Sequence, residues 1–250
     1  MGKKATVRIA EGIAWIVIDD GKVNAMSVDM MDDVQTALTE AERAGAVTVL
    51  AGRPGIFSAG FDLGTFRLGG DAPRRMVLAG ARLVERLLAF SRPVVSACTG
   101  HAYPMGAFLM LASDVRIGAL GPWRIGMNET AIGLTVPLFA IEIARHRLTA
   151  PGFARITTAA MFDPEEAVAF GYLDRAVAAE DVETVARREA ERLRNLDGAA
   201  YVATKARVNE RALGAVRAAI AAELVGAPDQ DREGDAGTAI SPTVASTARA

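Results

Sequence analysis

The chain has 250 residues, 51% of them hydrophobic, and its 28 Lys and Arg against 30 Asp and Glu leave a net charge of −2. Such a length and composition provide for one compact domain with a substantial core. The interspersed, slightly acidic charge argues against a nucleic-acid partner, and no stretch approaches the ~20 charge-free apolar residues of a membrane helix.

Thr6–Ile9 and Ile13–Ile18, rich in Val and Ile and separated by Glu11-Gly12, read as a β-hairpin. Ser27 then caps a helix in which Met30, Met31, Val34, Leu38 and Ala41 recur at helical spacing up to Gly45. Val47–Ala51 is a short buried strand, followed by a loop carrying Ser58-Ala59-Gly60-Phe61-Asp62-Leu63. Pro73 opens an amphipathic helix, Val94–Ala97 is a strand ending at Gly100, Pro104 to Leu111 is a short apolar helix, and Val115–Ile117 a strand. The recurring strand, loop, helix and strand give the fold class α/β, with helices flanking sheets.

After Glu129 the pattern turns helical: Pro137 to Arg147, Pro151 to Ala160, Pro164 to Phe170, Val182 to Leu196 and Ala199 to Leu224. The last helix has apolar residues on much of its surface, among them Val202, Val208, Leu213, Val216, Ile220 and Leu224, a face that often packs on a neighbouring subunit. From Gly226 onward bulky apolar residues almost vanish. The division read from this is a core over 1–196, a helical oligomerisation segment over 197–225 and a disordered tail over 226–250.

Arg8 and Glu11 interrupt any secretory apolar core near the start. The lone Cys98, in an apolar run, forms no internal disulfide and reads as a buried, inert thiol. A soluble cytoplasmic protein is the expectation. No Cys, His and carboxylate cluster has metal-ligand spacing, so no metal is expected. Of the two histidines, His146 between Arg145 and Arg147 reads as a surface residue, and His101 as a structural hydrogen-bonding group near a glycine-containing loop.

In Ser58–Leu63, Ala59 and Gly60 permit close backbone approach to a ligand and leave the Phe61 N–H to point at an oxygen. In Gly100-His101-Ala102-Tyr103-Pro104-Met105-Gly106, a strand delivers a loop into a helix start, where free N–H groups gather. Each alone reads better as an ordinary turn or connection. Taken with Ile125-Gly126-Met127-Asn128-Glu129 and Gly133-Leu134-Thr135-Val136-Pro137, they resemble the crotonase superfamily, the enoyl-CoA hydratase/isomerase family. The resemblance runs from the first hairpin to about Leu224 and is strongest in Phe57–Leu63, Pro93–Asp114 and Gly126–Pro137.

The resemblance implies a ββα spiral core with a C-terminal helical trimerisation region, assembled as a homotrimer or a dimer of trimers. It implies an acyl-CoA thioester substrate, with coenzyme A entering as part of that substrate and no further cofactor. By position, the backbone N–H groups of Phe61 and Met105 form the oxyanion hole. Lys22, Ala25, Ala59, Asp62 and Leu63 fall near the CoA moiety, on the cue of Val23-Asn24-Ala25-Met26. Phe108 and Tyr103 fall at the acyl pocket. Where the family often has Gly-Gly-Gly, this chain has Pro104-Met105-Gly106, which retains the N–H at 105.

Family hydratases use two glutamates. Here the second position matches Glu129, but the first, 21 residues earlier, matches Phe108, which carries no proton. Isomerisation of a 3-enoyl-CoA to the 2-trans-enoyl-CoA needs one base that removes a proton at C2 and returns it at C4, so an isomerase is the expectation. The alternatives are an enoyl-CoA hydratase, another crotonase reaction such as thioester hydrolysis or decarboxylation, and a non-catalytic acyl-CoA-binding subunit.

Overall fold

The turn at Glu11 and Gly12 sets the first hairpin. Both residues have positive φ, 52° and 73°, the twist a two-residue turn needs between right-twisting strands. It joins β1 (Ala5–Ala10) to β2 (Ile13–Ile18) in antiparallel register. The structure is a computed structural model and describes residues 2–225.

Ser27 caps α1 (Val28–Arg43) by accepting the Met30 N–H, and the helix lays Met30, Met31, Val34 and Leu38 into the core. Next come β3 (Val47–Ala51), β4 (Gly55–Ser58), α2 (Leu63–Leu68) and α3 (Ala72–Leu88). The unit then recurs as β5 (Val94–Cys98), β6 (Gly100–Ala102) and α4 (Pro104–Ala112), and again as β7 (Val115–Ala119), β8 (Ile125–Gly126) and α5 (Leu138–Arg147). α6 (Ala150–Ala154), β9 (Met161–Phe162), α7 (Pro164–Phe170), β10 (Arg175–Val177), α8 (Val182–Arg194) and α9 (Gly198–Ile220) complete the described chain.

Each repeat gives its first strand to a six-stranded sheet, ordered β1-β2-β3-β5-β7-β10, and its second to a four-stranded sheet, ordered β4-β6-β8-β9. Apart from β1 and β9, all strands run parallel to their neighbours. The corner between β5 and β6 depends on Gly100, where a Cβ would collide with the backbone of Gly55 and Ile56.

α8 covers one face of the large sheet, setting Ala186, Ala190 and Leu193 against Val49, Val95 and Ile117. α1 and α3 pack on the other side, in one core with α4. All nine residues of α4 are buried and none has a polar side chain. Burial of Phe108, Leu109, Met110 and Leu111 contributes roughly 1.5–3 kcal/mol each, so the helix is held from all sides rather than by one face.

α9 divides along its length. Val216 and Ile220, with Leu224 beyond the helix, are buried, whereas Val202 and Val208 are 42% and 64% exposed. A buried clasp anchors it, for one Asp114 oxygen accepts from Val94 N–H at 2.8 Å, Tyr201 O–H at 2.9 Å and Lys205 Nζ at 2.8 Å.

Three sequence expectations are corrected. The helix read over 151–160 is α6, then a 3₁₀ turn at Arg155–Thr158, and the chain turns at Ala159 (φ 52°) to enter β9 beside β8. His146 is half-buried rather than at the surface, because α5 packs on α9 and brings its Nε2 to Asn209 Oδ1 at 3.2 Å. β4 and β6 are also strands of their own sheet, where the sequence read loops. The tail read over 226–250 lies outside the described residues. Among the described residues, no helix is long and apolar enough to cross a membrane.

Candidate active site

β4, β6 and β8 are parallel neighbours, so their chains leave the small sheet at one edge. That edge gathers Ala59–Phe61, Tyr103–Met105 and Met127–Glu129, three segments separated by tens of residues in sequence. Carboxyl ends of neighbouring parallel strands are the usual place for ligand sites in such sheets.

The first segment is fixed by the turn at 20–26. Asp20 accepts N–H bonds from Lys22, Asn24 and Ala25. Burial works against its charge, but these donors outweigh it and hold the carboxyl below its usual range. Asn24, fully buried at φ 54°, donates to Ile18 and Phe57 carbonyls, and Ser58 Oγ donates back to the Asn24 carbonyl. Met26 N–H then bonds the Gly60 carbonyl, and Asp62 N–H bonds that of Met26. In this parallel bridge both neighbours of Phe61 face Met26, so the Phe61 N–H faces the opposite side.

That opposite side is the start of α4. Gly60 (φ 89°) lies against it, a Cβ there falling 3.3 Å from Pro104 Cδ. Tyr103 N–H bonds the Ser58 carbonyl, and Met105 N–H is one of the first-turn donors that a helix cannot satisfy internally. The Phe61 ring and Met105 Sδ also meet on Gly80 of α3. Side chains from two separate strand ends are thus brought to one place.

The third segment brings the acid. Ala102 N–H bonds the Arg124 carbonyl and pairs β6 with β8, while β9 holds β8 from the other side. Glu129 opens a 3₁₀ turn, Glu129–Ile132, closed at Gly133 (φ 76°). It is not a helix cap, since Asn128 occupies that position. Its side chain is buried, and among the described residues neither carboxyl oxygen has a hydrogen-bond partner. Loss of solvent pushes its pKa up to about 7. A carboxyl near neutrality can take and return a proton, and fixed N–H donors can hold a developing oxyanion.

Phe108 sits one turn beyond Met105 and is wholly buried, its ring 6.4 Å from that of Phe61 and 5.6 Å from that of Phe139, both edge-on. Tyr103 is half-buried, with its ring 6.0 Å from His101. His101 Nδ1 accepts the Arg124 N–H at 2.9 Å, the structural bond read from the sequence. Lys22 and Leu63 are exposed, and Ala25 and Ala59 half-buried on the paired turn segments. Asp62 caps α2 through Gly64 N–H and Thr65 O–H. Cys98 is buried and desolvation pushes its thiol up to about 12, as an inert thiol requires. Among the described residues no group of three metal-ligating side chains occurs.

Gly80 and Tyr172 escaped the sequence reading, and Asn24 entered it only within the Val23–Met26 cue, not as the buried residue that fixes the turn. Asn tolerates positive φ, and a glycine inside a helix implies close packing, so Asn24 and Gly80 carried a signal.

A sequence model described as enoyl-CoA hydratase/isomerase matches residues 8–227. The chain is 30% identical over 217 residues to the probable enoyl-CoA hydratase EchA17 of Mycobacterium tuberculosis, spanning 80% of this chain and 77% of that one. An enoyl-CoA hydratase/isomerase family protein from Pseudomonas syringae superposes with a TM-score of 0.87 at 38% identity, covering 89% of this chain and 97% of that one. An apo structure of a Mycobacterium tuberculosis enoyl-CoA isomerase gives a TM-score of 0.85 at 38% identity, with 89% and 100% covered.

Proposed function

The chain belongs to the enoyl-CoA hydratase/isomerase family, with the crotonase fold, and on that footing we propose that it isomerises 3-enoyl-CoA to 2-trans-enoyl-CoA. One observation carries the choice. Glu129 is a buried carboxyl with both oxygens unpartnered and a pKa near 7, while α4, from Pro104 to Ala112, offers no second acid and puts Phe108 in its place.

In this reading the thioester carbonyl accepts the N–H groups of Phe61 and Met105. Glu129 removes a proton at C2, the negative charge of the dienolate rests on the oxygen held by those donors, and the protonated Glu129 delivers the proton at C4. No water is consumed. Phe108, tightly packed between Phe61 and Phe139, keeps water from the β-carbon and forms the acyl pocket with Tyr103. Lys22, Ala25, Ala59, Asp62 and Leu63 border the CoA moiety, with Lys22 free to meet a phosphate. The exposed Val202 and Val208 on α9 are covered in a homotrimer or a dimer of trimers.

A hydratase is the second reading, favoured by the name of the EchA17 relative. Purified protein given 3-enoyl-CoA and, separately, 2-trans-enoyl-CoA decides between them. We expect the double bond to move in the first case and little 3-hydroxyacyl-CoA in the second. Hydration at a rate matching isomerisation would overturn the choice, and CoA-ester binding without either reaction would favour a non-catalytic subunit.

A further inference from the structure

A second polar side chain lies in the same region as Glu129. Tyr172 is 1% exposed, and its hydroxyl has no hydrogen-bond partner among the described residues. Its oxygen is not among the fully enclosed polar atoms, so the hydroxyl keeps a small opening while its ring is packed. Gly171 (φ 92°) ends α7 and turns the chain inward, and Tyr172 N–H bonds the Ala167 carbonyl at 2.8 Å. The Tyr172 ring lies 5.6 Å from that of Phe162, which pairs with Ile125 in β8, the strand that runs into Glu129. The Tyr172 ring is therefore packed against the strand pair that leads into the acid.

Burial first, and the Glu129 charge second, push the ionisation of Tyr172 upward, so it remains a neutral donor wherever Glu129 titrates. No charged side chain is a cause of the Glu129 shift. α4, β8 and β9 carry none. Arg155 on the neighbouring 3₁₀ turn and Glu165 on α7 are exposed, Asp163 and Glu166 are engaged in the α7 capping box, and Arg116 bonds Asp174 beyond Tyr172. On α5, Arg147 bonds the Leu111 and Ser113 carbonyls, His146 bonds Asn209, and Glu142 lies within 3.7 Å of Arg145.

We propose that Tyr172 is a positioning residue for Glu129, its O–H donating to the ionised carboxylate, directly after a rotation of the Glu129 side chain or across one water. The bond steadies the carboxylate and fixes which oxygen faces the acyl chain. This rests on the reading of Glu129 as the proton carrier, but the pairing itself is testable without turnover.

The test is Tyr172→Phe, which keeps the ring and removes the donor. In the ligand-free protein, carboxyl NMR reads the Glu129 titration, its signal assigned by loss in Glu129→Gln. The pKa of Glu129 should rise by about half a unit or more when the donor to its charged form is lost. The acid limb of kcat/KM should move with it, kcat falling about tenfold with KM within twofold, a split that mere loosening would not give. Denaturant unfolding at pH 8 supplies a second readout: Tyr172→Phe should lower the folding constant at least about threefold more beside Glu129 than beside Gln at 129. An unmoved titration or equal costs in the two backgrounds overturn the proposal. A moved titration in a protein that isomerises nothing leaves the pairing standing and removes the isomerase reading.

Discussion

The Phe61 ring and the Met105 thioether meet on α3 where a residue lacks a side chain: at Gly80, a Cβ would lie 2.7 Å from Phe61 Cε1 and 2.9 Å from Met105 Sδ. Both candidate oxyanion donors are thereby seated by one glycine. Gly80→Ala gains helix propensity of roughly 0.5–1 kcal/mol but overpacks at a cost of about 1–3 kcal/mol. We expect net destabilisation of about 1 kcal/mol by denaturant unfolding and at least a tenfold loss of kcat/KM, since the two backbones shift apart.

Glu129→Gln should lower kcat by roughly 10²- to 10⁴-fold, the usual contribution of a positioned proton carrier. Affinity for a non-reacting acyl-CoA should change less than about threefold, because the proposed thioester contacts are main-chain groups. A parallel loss of affinity in a binding titration would reject this assignment.

The acid also makes stability depend on pH. The folded pKa of Glu129, about 7, lies above its ordinary 4.5, so between those values the folded state holds a proton that the unfolded state has released. The contribution is complete below pH 4.5, declines as pH rises and is gone above about 7, a span on the order of 3 kcal/mol. Unfolding measured across this window should show that slope in the native chain and not in Glu129→Gln. In the same window the rate should rise with pH as the base becomes ionised.

Phe108→Leu should open space between Phe61 and Phe139 at a cost of about 1 kcal/mol. If the aromatic stack excludes water, the ratio of 3-hydroxyacyl-CoA to isomerised product will increase in the variant. An unchanged ratio, read by chromatography of the CoA esters, would assign water exclusion elsewhere.

Asp114→Ala leaves Lys205, 6% exposed in its side chain, as a buried charge without its partner. We expect a loss of about 3–5 kcal/mol, partly restored by adding Lys205→Met. Simple additivity of the two losses would show that the clasp is not a coupled unit.

Much of the large sheet and its helices was legible because each element is long enough to display its period. α1 and α3 show apolar spacing over four turns, and β2, β3 and β5 are rich in β-branched residues. The small sheet was not legible, since β8 and β9 have two residues each and β6 three, too few for alternation to register. Glu129 stood out by the segments around it, but its lack of partners depends on what other strands bring near it. Tyr172 reads in sequence as an ordinary helix end after Phe170-Gly171. His146 misled because its flanking arginines lie on other sides of α5, and adjacent helical residues do not share an environment.

In the proposed reading, grip on the carbonyl comes from the ends of β4 and β6 while the proton carrier hangs from β8, so the two duties have separate supports. Evolution or an engineer can rewrite the reaction at a single strand terminus and leave thioester capture untouched.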